Sequence, residues 1–265
     1  MAIGSDEEKI VFNGKLLTGI QNISFSQNVS EAPVEMLGND FVTTEISGPT
    51  NFSANVSKLL LNTDFLRTLT GSTTISGQFE YGDNYLDFNS GVLGGYTFNA
   101  NIGQIPTLEF SFEIFGDVSG ANSAASSTAE TSAIKEVSQT GIEVTFDKQS
   151  TNAVQNFSFT ESYTYETIYG LNNDGRPSAI KLIGPIEQEV TISMEVDDNE
   201  IEDGFSFLSG DKNRDRTIRT IVRYDGNVAV NTFELESGHL VSQSYSAGAG
   251  DTVISNLTYR GYKKV

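Results

Sequence analysis

The chain has 265 residues, and its 16 lysines and arginines against 35 aspartates and glutamates give a formal net charge of -19. This charge disfavours binding to nucleic acid or to an anionic membrane surface. Cysteine is absent, which excludes disulfides and thiolate sites, while 17 phenylalanines and 10 tyrosines in a background rich in serine, threonine and asparagine favour an all-β fold.

The start of the chain, MAIGSDEEKI, is polar and acidic and does not show the charged and apolar regions of a secretory signal. The longest plainly apolar run is Leu59 to Leu61, far shorter than a membrane span. We therefore expect a protein that is made in a cytoplasm and has no membrane partner.

The first half of the chain begins with a predicted strand, GIQNISFSQN (19–28), in which Ile23 and Phe25 alternate with serine. Ser57 to Leu69 is the best candidate for a short helix. Residues 75–89 predict a hairpin, because strand-like runs flank the turn composition Gly82-Asp83-Asn84.

Residues 116–133 are small, polar and without periodicity, which is typical of a linker, although a surface loop within one domain has the same composition. The second half then begins with AVQNFSFTES (153–162), which repeats the pattern of residues 19–28. A second hairpin is predicted over 219–235, around Asp225-Gly226.

Five short matches relate the two halves in the same order, and this order indicates an internal duplication. The residue offset between partners grows from 134 to 136, 143 and finally 147, so the second copy has the longer loops. An acidic segment, 197–216, contains most of the growth. The matched pairs are Gln21-Asn22 with Gln155-Asn156, Gly48-Pro49 with Gly184-Pro185, Tyr81 to Asn84 with Tyr224 to Asn227, Ser90 to Leu93 with Ser237 to Leu240, and Phe110 to Phe112 with Leu257 to Tyr259.

Residues that could carry catalysis or bind metal are few. His239 is the only histidine, and Val92 matches it in the first copy, so a packing or surface role is favoured over a catalytic triad. Asp211, Asn213 and Asp215 copy the first ligands of a calcium loop, but Arg216 replaces the required glycine. No pair of carboxylates is singled out for glycoside hydrolysis. We predict no catalytic residue, no cofactor and no metal site, and hence no enzyme.

The run from residue 19 to residue 60 resembles the opening of tail tube and tube-related structural proteins of tailed bacteriophages. In this resemblance, a strand of the type G-h-Q-[NS]-h-S-h (h apolar) leads to an LG turn and a pairing strand. These parts are Gly19 to Phe25, Leu37-Gly38 and Ile46 to Val56 here, and Gln155 to Phe159, Gly170-Leu171 and Ile183 to Ile192 in the second copy, where the order of leucine and glycine is reversed.

The resemblance implies two tandem β-sandwich or half-barrel modules, each with a long hairpin and at most a short helix. The predicted boundaries are 1–118 for the first module, 119–135 for the linker and 136–265 for the second module. Because tube rings of this kind are built from six modules, a duplicated chain is expected to form a homotrimeric ring with pseudo-sixfold symmetry, and the rings to stack.

The implied function is that of a structural subunit of a tail tube, located in the virion and assembled in the host cytoplasm. Expected partners are further copies of the chain and other tail proteins such as sheath, terminator or baseplate, with DNA only as transient, non-specific cargo. An acidic lumen would let DNA slide without sticking. The candidate lumen-facing residues are Gln78, Glu80, Asp87, Asn231 and Glu234.

Two alternatives remain open at this point. One is a hub or adaptor ring at the baseplate or tail terminus, which would stop at a single ring. The other belongs to a different class, a carbohydrate-binding or adhesive β module, which the 10 tyrosines suggest although no tryptophan is present to form the strongest stacking surface.

Overall fold

The structure is a computed structural model, and it confirms the all-β prediction. The described part of the chain forms seventeen strands and one short 3-10 helix. It comprises residues 8–34, 44–60, 65–69, 71, 73–129, 141–146, 149–151, 154–170, 177–195, 215–223, 229–246 and 253–264.

Four of the strands in the first half have 15 residues or more. They are β1 (Glu8–Phe12), β2 (Lys15–Leu16), β3 (Ile20–Val34), β4 (Thr44–Leu59), β5 (Ile75–Tyr81), β6 (Asn84–Asn101), β7 (Thr107–Ala121) and β8 (Thr128–Ala129).

The strands of the second half alternate strictly between buried and partly exposed positions where the sheet packs on the core, as in TISME at the end of β14. They are β9 (Ile142–Phe146), β10 (Gln149–Thr151), β11 (Val154–Ser162), β12 (Tyr165–Tyr169), β13 (Pro177–Leu182), β14 (Ile186–Glu195), β15 (Arg216–Arg223), β16 (Ala229–Ser246) and β17 (Ile254–Lys263).

The helix predicted over Ser57 to Leu69 is largely wrong. Its first three residues belong to β4, which is hydrogen-bonded on both edges, to β3 and to β7. Among the described residues of this segment, Phe65–Thr68 alone is helical, as one 3-10 turn in which the Thr68 hydroxyl donates to the Phe65 carbonyl at 2.6 Å, while residues 61–64 lie outside the described part. Sheet pairing thus overrides a weak helical pattern.

Both predicted hairpins are present. In the first, Tyr81 pairs with Asn84 across a two-residue turn, and Gly82 has φ +57°, which fits the first central position of a type II′ turn. In the second, β15 and β16 pair from Ile218 to Val222, while the turn residues 224–228 lie outside the described part of the chain.

The predicted linker, 119–135, is partly strand. Residues 119–121 end β7, and residues 128–129 form β8, which pairs in parallel with β2. Residues 130–140 lie outside the described part of the chain. The bounds of the modules on either side are not tested by these observations and stay predictions.

One sheet of 15 strands contains all strands except β12 and β13, which pair with each other. Two sets of strands within it have the same pairings. We call β1 to β7 the N-terminal unit, and β9, β10, β11 and β14 to β17 the C-terminal unit. Six antiparallel pairings of the N-terminal unit (β1·β2, β1·β5, β5·β6, β6·β7, β7·β4, β4·β3) recur in order as β9·β10, β9·β15, β15·β16, β16·β17, β17·β14 and β14·β11.

Irregularities in the ladders also recur, and they define which residues correspond. The shift between Ile20 and Asn22 in β3 recurs between Val154 and Asn156 in β11, an offset of 154 − 20 = 134 residues. The shift between Leu93 and Gly95 in β6 recurs between Leu240 and Ser242 in β16, an offset of 240 − 93 = 147. Bulges mark register, because each displaces the pairing by one residue.

The shift in β5 gives a third offset and corrects one of the sequence matches. It lies between Ile75 and Gly77, and recurs between Arg216 and Ile218 in β15, so the offset is 216 − 75 = 141. Tyr81 therefore corresponds to Val222 and not to Tyr224. The turn after β15 is longer than its counterpart, which a match of turn residues alone cannot reveal.

The core is continuous through both units and is dominated by phenylalanine. In the N-terminal unit the Phe12 ring contacts Phe79, Phe88 and Phe112 at centroid distances of 4.8 to 6.1 Å. In the C-terminal unit Phe159 contacts Phe233 at 5.6 Å. Edge-to-face and stacked rings of this kind add to the stabilisation from apolar burial.

Candidate assembly interface

The two units are joined edge to edge by β6 and β11. The last residues of β6 pair antiparallel with β11, from Gly95 opposite Ser162 to Asn101 opposite Asn156. Near the middle of this junction, the Thr97 and Thr160 hydroxyl groups lie 3.1 Å apart. The backbone of one unit thus satisfies the free edge of the other, in the way that added strands satisfy sheet edges.

The side chain of Phe98, which belongs to the N-terminal unit, packs in the core of the C-terminal unit. Phe98 is fully buried and stacks on Phe233 with ring centroids 4.1 Å apart, while Phe157 lies at 6.1 Å. Tyr96, two residues earlier on the same face, stacks on Phe159 at 6.0 Å. The burial of these rings means that apolar packing, in addition to backbone hydrogen bonds, stabilises the junction.

A buried carboxylate lies at the end of the junction. Glu161 of β11 is only 6% exposed, and it accepts hydrogen bonds from the Tyr96 hydroxyl at 3.2 Å, from Gln188 Nε2 at 2.8 Å and from the Tyr163 hydroxyl. Burial and the hydrogen bond to Glu161 raise the pKa of Tyr163 above its usual range. Three donors satisfy this carboxylate, so it connects three strands across the junction.

Close approach at the junction depends on a glycine. A Cβ atom on Gly95 would lie 2.8 Å from the Glu161 carbonyl oxygen, closer than real Cβ contacts. Only a residue without a side chain lets the two backbones approach to this distance.

In each unit, one of these two edges has no partner among the described strands. Among the described strands, β3, which corresponds to β11, pairs with β4 alone. Residues 242–246 of β16, which correspond to residues 95–99 in the paired end of β6, have β17 on one edge and no described strand on the other. Within the part of the chain that the structure describes, counterparts of both halves of the internal joint are therefore unpaired.

Most of each open edge carries no charged side chain, although Glu31 and Pro33 lie near the end of β3. Residues 20–30, IQNISFSQNVS, and residues 240–246, LVSQSYS, contain no lysine, arginine, aspartate or glutamate, although 19% of the chain is charged. Natural edge strands are usually protected by charged side chains, proline or bulges, which block the addition of another strand. The absence of charge favours edges that are used.

A groove lies beside the open edge of β3. It is lined mainly by apolar side chains, among them Ile23, Phe25, Phe79 and Leu86. By the strand offsets, Ile23, Phe25 and Leu86 correspond to Phe157, Phe159 and Phe233, which surround or adjoin Phe98. The groove is thus the counterpart of the place that Phe98 fills in the C-terminal unit.

The candidate lumen residues do not share one environment. Gln78 is 3% exposed, and its amide donates to Asp87 Oδ1 at 2.6 Å and to the Ser123 carbonyl at 3.0 Å. Glu80 is 8% exposed. Both side chains are thus largely buried in this chain, and Gln78 is covered by the segment that follows β7. Asp87 and Asn231 are partly buried, and Glu234 is exposed beside Arg219 at 3.8 Å, so for these three the lumen assignment stays a prediction.

The histidine and the acidic segment show no catalytic or metal-binding arrangement in the described part of the chain. His239 is exposed, with Nδ1 2.9 Å from Asp215 Oδ1. Asp211 and Asn213, the first residues of the calcium-like pattern, lie outside the described residues, as does most of segment 197–216. The described residues contain no cluster of potential metal ligands and no helix of a length and apolarity suited to crossing a membrane.

Comparison with known proteins does not identify a family for this chain. No protein-family model matches it, and no curated protein is significantly similar to it in sequence. The geometry of the junction and the open edges is therefore the basis on which a function is argued.

The junction itself could not be located from the sequence. Residues 19–28 and 153–162 stand out as related strands, but nothing in the sequence shows that the later one pairs with β6. The lack of charge in both open edges is the signal that would have drawn attention to them.

Proposed function

We propose that the chain is a structural subunit of a bacteriophage tail that assembles with copies of itself into rings of a tail tube, through which DNA passes. The observation that carries the proposal is the internal joint between β6 and β11, together with the open, uncharged counterparts of both its edges on β16 and β3. A chain built in this way is suited to extend the same joint from one copy to the next.

The predicted assembly is a closed ring, which is one of the two arrangements that the joint allows. The joint is heterologous, because a β6-type edge meets a β11-type edge, and repeated heterologous contacts generate rings or open helical filaments. The shared pairings of the two units support an origin by duplication. If six units close the ring, as in the resembling tail tubes, three chains supply them and the assembly is a trimer.

The charge of the chain supports the proposed passage of DNA. The net charge of -19 per chain is consistent with an acidic inner wall. An acidic wall repels the DNA backbone. Asp87, Asn231 and Glu234 remain the candidates for this wall. In this proposal the protein is located in the virion, and sheath, terminator or baseplate proteins are its further partners.

Mass measurement and negative-stain microscopy of the purified chain test the proposal. We expect a species of three times 28.7 kDa, about 86 kDa, at micromolar concentration, and ring-shaped particles. Long hollow tubes would favour the tube subunit, and single rings the hub or adaptor alternative. Monomers at every concentration would contradict both, and glycan binding by such a monomer would favour the carbohydrate-binding alternative.

A further inference from the structure

We infer that Tyr245 of one copy docks into the groove beside Ile23, Phe25 and Leu86 of a second copy, where residues 244–246 of the first pair antiparallel with residues 24–26 of the second. This inference deepens the proposed function, because it rests on self-association and names the residues that form the contact. The occupant of the groove is a second copy of this chain.

The internal joint is the template for the contact. There, Phe98 of β6 lies opposite Phe159 of β11 and packs on Phe233 and Phe157. By the offset of 147 between β6 and β16, Phe98 corresponds to Tyr245. By the offset of 134 between β3 and β11, Phe159 corresponds to Phe25. The open edge of β16 therefore has an aromatic residue at the position that corresponds to Phe98. The groove beside β3 has apolar residues at the positions that correspond to those around Phe98.

The register of the contact follows from the same offsets. Thr97 opposite Thr160 becomes Ser244 opposite Ser26, and Asn99 opposite Ser158 becomes Ser246 opposite Ser24. Each pair joins small polar residues, which suit an exposed face of a strand pair. The central pair, Tyr245 opposite Phe25, is aromatic and faces the groove.

The docking residue is accessible in the isolated chain. Tyr245 is 46% exposed, an unusual state for a large ring at a position whose counterpart, Phe98, is fully buried. Its hydroxyl accepts a hydrogen bond from the Gln243 amide, so the polar end of the ring has a partner while the rest can enter an apolar groove. Exposed aromatic rings of this kind are typical anchors of protein interfaces.

One difference between corresponding residues of the two units limits the length of the proposed strand pairing. Gly95, which lets β6 approach the Glu161 carbonyl, corresponds to Ser242. A side chain at this position prevents equally close approach, so the strands must separate slightly there. We therefore place the pairing at 244–246 and not at 242.

Crosslinking tests the register directly, since the natural chain has no cysteine. Chains carrying Ser26→Cys alone and chains carrying Ser244→Cys alone are mixed, oxidised and separated without reductant. We expect a disulfide-linked dimer in the mixture and little in either variant by itself. Thr97→Cys with Thr160→Cys in one chain is the positive control, because those hydroxyls are 3.1 Å apart in the internal joint.

Matched controls define the specificity of the crosslink. A mixture of Ser26→Cys with Gln243→Cys chains should not crosslink efficiently, because neighbouring side chains on a strand point to opposite faces. Efficient crosslinking of Ser26→Cys chains with each other would instead show a twofold β3·β3 contact and would overturn the inference.

Substitution of the docking residue provides a second readout. Tyr245→Ala should raise the concentration at which half the chains assemble by at least about tenfold, because it removes a central aromatic anchor. Tyr245→Phe should assemble as the natural chain does, and Tyr262→Ala removes a tyrosine that is 62% exposed elsewhere and should change little. Unchanged assembly of Tyr245→Ala would overturn the inference.

The outcomes separate this inference from the proposed function. Rings without the 26–244 crosslink would overturn the docking and leave the ring proposal standing. The crosslink in open chains that never close would support the docking and contradict the ring. Monomers at every concentration, with no crosslink in the mixture, would contradict both.

Discussion

At the scale of single residues, Glu161 shows how a polar group can stabilise the junction between the two units. A buried carboxylate is costly unless donors surround it, and here Tyr96, Tyr163 and Gln188 all donate to it. The three donors come from β6, from the end of β11 and from β14. Its counterpart in the N-terminal unit is Gln27, which is exposed on the open edge of β3.

We expect Glu161→Ala to lower the free energy of unfolding by about 3 kcal/mol, because it leaves buried hydroxyl and amide donors without their acceptor. Glu161→Gln should cost less, since one oxygen acceptor remains. Urea unfolding followed by circular dichroism or tyrosine fluorescence measures the change, because no tryptophan is present. Gln27→Ala, measured below the concentration of assembly, is the control and should change stability by less than about 0.5 kcal/mol. Equal losses for the two alanine variants would contradict a special role for Glu161.

At the scale of elements, β6 is the strand on which the architecture depends. Its first residues pair with β5, its last residues with β11, and β7 lies along nearly its whole other edge. The shift after Leu93 lies where the strand passes from the first of these neighbours to the second, and Gly95 follows it. A bulge increases local twist, which fits a strand that changes its neighbour within one sheet.

Gly95→Ala is expected to destabilise this junction by about 1–3 kcal/mol, since the added Cβ atom meets a backbone oxygen that cannot move aside easily. Gly120→Ala on β7 is the matched control, because its Cβ atom would meet nothing closer than 3.9 Å. Hydrogen exchange followed by mass spectrometry should show faster exchange in residues 156–162 for the first variant only. Exchange that is unchanged there would mean that the junction tolerates a side chain at position 95.

At the scale of the whole molecule, charge opposes assembly while the edges promote it. Each chain carries a net charge of -19, so copies repel one another over a Debye length. The paired residues of the proposed contact, 24–26 and 244–246, include no charged side chain, although Lys9 and Glu80 also line the groove. Association is therefore expected to depend on how well salt screens the repulsion and not on ion pairs across the joint.

We predict that the assembled fraction rises with salt between about 10 and 150 mM NaCl, as the Debye length falls from about 30 Å to about 8 Å. Mass photometry at fixed protein concentration measures this fraction. Tyr245→Ala should remain less assembled than the natural chain at each salt concentration, which separates screening from loss of the anchor. Assembly that instead dissolves as salt is added would show attractive ion pairs at the contact and contradict an uncharged joint.

Some of the fold could be predicted from local pattern and some could not. Gly82-Asp83 between two alternating runs was sufficient for the first hairpin, and the same logic would have found the Asn13-Gly14 turn, where both residues have positive φ and Phe12 pairs with Lys15. The weak helical pattern after Ser57 was misleading, because pairing of β4 on both edges decided its structure. The polar pattern of the first hairpin suggests that Gln78 faces solvent, but the chain after β7 covers this side chain.

The sequence by itself determined that the chain is all-β and where its clearest hairpins lie, and it predicted that two strands half the chain apart are related. Periodicity, turn composition and repetition are local or comparative signals, and they can be read without coordinates. Only the tertiary structure decided that β11 adds to β6 and that β3 and the end of β16 stay open among the described strands. The reason is that strand edges pair through backbone groups common to every residue, so the choice of neighbour depends on where folding brings each edge.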